Sequence, residues 1–138
     1  MNTMSLFLLA TLLTGPTGSV ESYSPLNGAM VNNSTSTEFF GEVKSSVGLG
    51  AGSHTFKLIV TSTWTRPSFP PSQDLEVAME WVVGEEEEIT KKATGYYNST
   101  SRKGDHTLVV KLIAWPTNGG SESNATQVAI QTTSYTIK

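Results

Sequence analysis

From Leu75 to Val83 the chain keeps a two-residue period: Leu75, Val77, Met79, Trp81 and Val83 share one face, and Glu76 and Glu80 lie on the other. Successive side chains of a pleated strand point to opposite sides, whereas a helix would scatter these five apolar residues around its circumference. The segment therefore reads as a strand with one core face. The same period governs His54 to Trp64, where Phe56, Leu58, Val60 and Trp64 alternate with Thr55, Lys57, Thr61 and Thr63, and Ile59 is the one apolar intruder. Thr107 to Trp115 sets Leu108, Val110, Leu112 and Ala114 on one side. Val109, Ile113 and Trp115 make its other side partly apolar, as in a strand through the middle of a sheet.

Weaker strand signals at Ala29–Val31, Glu38–Val43, Ile89–Tyr97 and Gln127–Ile137 bring the set to about seven. Turn residues separate them: Asn27 and Gly28, the Gly48–Gly52 stretch, the Pro-rich loop from Arg66 to Pro71, Lys103 to Asp105, and Asn118 to Gly120. Short strands at such spacings predict an all-β fold, an antiparallel sandwich. With 138 residues and no cysteine, it would be one domain held by its apolar core alone. Gly52-Ser-His-Thr is echoed at Gly104-Asp-His-Thr. Two short copies do not make a repeat array, and both read as strand starts after a glycine turn.

Serine and threonine supply 36 residues while charged residues are 15%, a balance suited to an extracellular or virion β-protein. A net charge of −3 provides no electrostatic footprint for a polyanion, so nucleic-acid binding is not expected.

The only long apolar run lies near the N-terminus and includes Leu6, Phe7, Leu8, Leu9, Leu12 and Leu13. It is too short for a transmembrane helix, so no integral membrane span is expected. As a secretory signal it lacks a preceding Lys or Arg and a following A-x-A-like site. Gly15, Pro16, Thr17, Gly18 and Ser19 read as a breaker. Residues 1–19 are thus expected to form an apolar arm plus breaker, or a signal peptide, ahead of a sandwich over 20–138. Burying the six arm side chains in a neighbour would contribute on the order of 10 kcal/mol before entropy costs.

Tyr23-Ser-Pro-Leu-Asn-Gly-Ala-Met-Val31 resembles the "SPxNGxxV" opening strand of bacterial and phage immunoglobulin-like, or fibronectin-like, modules. Gly104-Asp-His-Thr-Leu-Val-Val-Lys-Leu-Ile-Ala114, followed by Asn118 and Gly119, is similar to their "GxHTLxVxAxxxxG" penultimate strand. Val77 to Gly84 resembles the middle strand that ends in a "V-x-G" turn. The likeness spans about residues 23–138, departs at the 65–74 loop and at 48–52, and carries shape rather than chemistry. It implies a rigid adhesive or spacer module of the kind found in surface adhesins and in phage capsid decoration, tail and fibre proteins.

Chemistry is sparse. His54 and His106 sit at matching strand starts and read as turn-proximal polar residues, not as metal ligands. Glu85 to Glu88 could meet Ca²⁺ with Asp74 or Asp105, but four successive Glu lack the interleaved Asp, Asn and Gly of hard-cation loops and read as a solvated hairpin tip. No nucleophile elbow, P-loop or zinc-protease motif occurs, so no enzyme, metal or cofactor is expected. Trp64, Trp81 and Trp115 read as core or sheet-edge residues, with sugar stacking by an exposed pair as the rarer use. Asn32, Asn33, Asn98 and Asn124 open Asn-x-Ser/Thr triplets and would be glycan acceptors if the chain is exported.

These readings predict a non-enzymatic virion structural protein, a capsid cement or decoration subunit or a tail or fibre subunit. The six arm residues would dock it on a major capsid or tail protein and on copies of itself. The alternative is a secreted or cell-surface adhesive module, or pilus-like filament subunit, with a cleaved signal and a surface glycan or receptor as partner.

Overall fold

In a computed structural model the described residues are 15–138, and the arm residues Leu6, Phe7, Leu8, Leu9, Leu12 and Leu13 lie outside them. The strands are β1 (Pro16–Ser24), β2 (Met30–Val31), β3 (Thr37–Val47), β4 (His54–Thr65), β5 (Ser72–Val83), β6 (Glu88–Tyr97), β7 (Gly104–Pro116) and β8 (Thr126–Ile137), with one 3-10 turn at Glu122–Asn124. They form two sheets, ordered β1-β3-β6 and β2-β8-β7-β4-β5. All pairings are antiparallel except β2 alongside β8. The all-β sandwich expected from the sequence is the fold observed.

The alternation in the sequence is the alternation in burial. Phe39 and Val43 of β3 meet Phe56, Leu58 and Val60 of β4 and Leu108, Val110 and Leu112 of β7, all with 0% exposure. Each such side chain contributes about 1.5–3 kcal/mol relative to exposure. Strand β7 runs between β4 and β8, as its two apolar faces predict. Strand β5 turns Glu76 and Glu80 to solvent and buries Trp81 and Val83. Where β3 crosses β7 and β4, Gly41 lets the sheets touch. A Cβ there would stand 2.6 Å from Val110 Cγ1 and 3.1 Å from Val60 Cγ2.

One expectation is corrected. Gly15 to Ser19 is not a breaker ahead of the first strand: β1 begins at Pro16, which pairs with Val47, and continues through Ser19, which pairs with Lys44. Proline is tolerated as the first residue of an edge strand because no ladder hydrogen bond is lost there. Gly18 is required by close approach, since a Cβ would lie 2.6 Å from both Leu112 Cδ2 and the Lys44 carbonyl oxygen. After β1, the chain crosses to the other sheet through Asn27 and Gly28. The Asn27 Oδ1 accepts from Ser134 N at 3.0 Å, and Gly28 N donates to Ser134 O at 2.7 Å.

The strand registers define two ends. His54 pairs with Val83 and Pro116, and Gly48 N donates to Gly15 O, so one end carries the 48–53, 84–87 and 116–125 loops and the start of β1. Thr65 pairs with Asp105, Gly104 with Ile137, and Ser99 N donates to Ser34 O, so the other end carries the 25–36, 66–71 and 98–103 loops.

Candidate functional site

The densest chemistry lies inside the second end. Strand β7 continues its inward parity from Leu108 back to His106, and β6 and β8 do the same with Tyr97 and Tyr135. Ser62 comes from β4 and Asp74 from the start of β5. The side chains of His106 and Asp74 are both 0% exposed and are hydrogen-bonded, Nδ1 to Oδ2, at 2.6 Å. Arg102 Nη1 donates to the other Asp74 oxygen at 3.0 Å, and Ser62 Oγ donates to Oδ2 at 2.7 Å. His106 Nε2 stands 2.7 Å from the Arg102 carbonyl. A carbonyl only accepts, so Nε2 carries a proton. The expectation that His106 is merely turn-proximal is thereby corrected: its place on the inward face of β7 buries it.

The remaining hydroxyls form a line that ends on the same carboxylate. Tyr97 and Tyr135 hydroxyls are 2.7 Å apart, and Tyr135 contacts Ser62 Oγ. With one proton per hydroxyl, the direction Tyr97 to Tyr135 to Ser62 to Asp74 satisfies each donor. Burial, foremost, raises both phenols above their ordinary range, so neither is a ready base or nucleophile. Ser62 is 0% exposed, His106 1% and Tyr135 1%, so the cluster is buried. The cluster ties strands β4 to β8 to one another.

Its outer cover is a cationic aromatic surface. The Trp64 ring stacks on His106, with centroids 6.2 Å apart and planes 10° from parallel, and Trp64 Nε1 donates to Lys103 O at 3.1 Å. Arg66 lies with its guanidinium carbon 4.4 Å from the Trp64 centroid and 4.5 Å from that of Phe69. Arg102 lies 5.2 Å from Trp64. Trp81 and Trp115 are buried, so no exposed tryptophan pair exists among the described residues. Trp81 instead stacks on Phe56 and donates to Ser45 Oγ at 2.9 Å.

The other sequence candidates are dispersed. His54 is also buried rather than loosely turn-proximal, its Nδ1 2.9 Å from the Gly52 carbonyl. Because β4 and β7 are antiparallel neighbours, the two Gly-x-His-Thr copies sit at opposite ends of one strand pair, each at a strand start marked by a glycine with positive φ (76° and 119°). Glu85 to Glu88 form the exposed tip between β5 and β6, at the opposite end from Asp74 and Asp105. No group of three or more His, Asp or Glu able to hold a metal ion occurs among the described residues. Asn32, Asn98 and Asn124 are exposed on loops, while Asn33 Nδ2 is engaged with Thr100 O at 3.2 Å. No helix among the described residues is long and apolar enough to cross a membrane.

No protein-family model and no curated protein sequence matches this chain. Its fold is similar, over 91% of its length and with a TM-score of 0.50, to part of a β-glucosidase from Kluyveromyces marxianus, at 8% identity. The same enzyme in complex with glucose matches 90% of the chain at a TM-score of 0.50 and 7% identity. The chain spans only 15% and 14% of those two chains, so the likeness concerns the fold alone. The N-terminal domain of PorA is matched over 89% of this chain and 97% of that one, at 15% identity and a TM-score of 0.38.

Proposed function

We propose that this chain is a non-catalytic, immunoglobulin-like sandwich subunit that works by binding and assembly. In its finer form it is a virion structural protein, a capsid cement or decoration subunit or a tail or fibre subunit, docked through its N-terminal apolar segment. The observation that carries this reading is the start of β1. Only Thr14 and Gly15 separate Leu13 from Pro16, and Pro16 through Ser19 are paired with Val47 through Lys44. A leader cut near residue 20 would strip half of an edge strand, and the hydrogen bonds of its partner would be left open. The apolar segment is therefore joined to the sheet with almost no linker, as suits an anchor that holds a rigid body on a neighbour.

An exported adhesive module is the second reading, favoured by the exposure of Asn32, Asn98 and Asn124. Intact mass and N-terminal peptide sequencing of the protein from its native source separate the two. The virion reading predicts a start at Met1 or Asn2 and a mass near 14.8 kDa. A start close to Gly15, with sugar on those asparagines, would overturn it in favour of export.

A further inference from the structure

Arg66 is held in an unusual state for a surface arginine. Its guanidinium carbon lies over two aromatic rings at once, 4.4 Å from the Trp64 centroid and 4.5 Å from that of Phe69. Its Nε is buried without a hydrogen-bond partner, and it takes part in none of the salt bridges among the described residues. Phe69 is 59% exposed beside it, flanked by exposed Pro67 and Pro70. A stacked guanidinium is pre-organised, weakly hydrated and shaped for a carboxylate, and Arg and aromatic residues dominate interface hot spots.

The complementary group lies at the far end of the same molecule. Glu85, Glu86 and Glu87 are exposed in succession, with Glu86 held at φ 60° at the turn. Glu85 accepts from Gly52 N and Glu87 from Gly84 N, each through a single oxygen. The nearby cation, Lys44, is taken up by Glu21 and Glu88. Strand β5 runs from Ser72 beside the arginine to Val83 beside the acidic tip, 12 residues that span roughly 40 Å. The two groups cannot meet within one copy.

We propose that copies of this chain associate end to end, the Glu85 to Glu87 tip of one seating on the Trp64, Arg66 and Phe69 face of the next; this rests on the reading of the chain as an assembly subunit. The contact is heterologous, joins unlike ends and leaves both outer ends free, so it propagates as an open row rather than closing as a two-fold dimer. A hairpin tip on a small patch is a weak contact, and its attraction is screened by salt.

Sedimentation velocity of the full chain at low and high ionic strength tests it. The wild type should sediment faster as concentration rises at low salt and return to monomer at high salt. Arg66→Glu alone, and Glu85→Lys with Glu86→Lys and Glu87→Lys in one chain, should each remain monomeric. An equimolar mixture of these two variants should form alternating rows, because the acidic tip of one meets the Arg66 face of the other and the basic tip of the other meets the acidic face of the first. Combining all four substitutions in one chain should restore the rows. Phe69→Ala, on an exposed side chain, should weaken the rows without touching charge, and circular dichroism verifies that each variant is folded. A wild type that stays monomeric, or variants that fail to complement, would overturn the inference. Association that survives both variants and high salt would also overturn it, while leaving assembly through the apolar segment standing.

Discussion

At the end of the sandwich where β4 begins, the interior is filled mainly by Val47, Phe56, Trp81, Val83 and Ala114, with Ser45 and His54 as buried polar residues; where β4 ends, inward-facing positions hold Ser62, Tyr97, His106 and Tyr135 around Asp74. The strand alternation is the same, yet the cohesion differs. Apolar packing is non-directional and accepts substitutions that conserve volume. A buried network depends on every partner, because a charge left alone in the interior costs far more than the pair contributes. The polar end should therefore be the fragile one, and the difference can be measured.

The largest effect is expected from Asp74→Ala. It leaves His106 and Arg102 without their carboxylate, and urea unfolding should show a loss of about 3–5 kcal/mol. At the apolar end, Leu112→Met, also at a fully buried site, should cost less than about 1.5 kcal/mol. Equal losses would erase the contrast. Between these lies Gly41→Ala, which presses a methyl group into Val110 and should cost about 1–3 kcal/mol by overpacking.

Tyr97→Phe removes the first donor of the hydroxyl line and should cost about 0.5–1.5 kcal/mol near neutral pH. Both phenols are held above their ordinary value near 10, so above that pH the unfolded chain ionises first and binds fewer protons than the folded one. Stability contributed by the neutral phenols is complete below pH 10 and falls as pH rises beyond it. Tyr97→Phe should make that alkaline decline shallower. The smallest effect is expected at the tip. Glu86→Gly relieves a left-handed backbone and should raise stability by about 0.5–1 kcal/mol in thermal unfolding.

Six of the eight strands were legible because their apolar residues keep a two-residue period, β2 as a short apolar run after Asn27 and Gly28, and β7 was even legible as a central strand from its two apolar faces. Strand β1 was hidden by Pro16 and Gly18, residues that ordinarily end structure but here begin an edge strand and admit close sheet contact. The polar cluster was not legible as a unit. His106 and Asp74 could be singled out, but Ser62, Asp74, Tyr97, Arg102, His106 and Tyr135 converge only through the pairing registers of β4, β5, β7 and β8, the packing of β6 from the other sheet, and a loop. A usable signal was present in the parity of His106 with Leu108 and Val110, which placed it inward rather than at the surface. Residues 1–14 lie outside the described part, so the six leucine and phenylalanine positions stand as a proposal.

The most direct measurement compares the full chain with residues 15–138, for urea unfolding and for co-sedimentation with particles from the native source. If the N-terminal segment is an anchor on a self-sufficient sandwich, the shorter chain keeps the same unfolding midpoint and stays in the supernatant while the full chain pellets. A shorter chain that unfolds would make the segment part of the core, and one that still pellets would place docking elsewhere; either result contradicts the account.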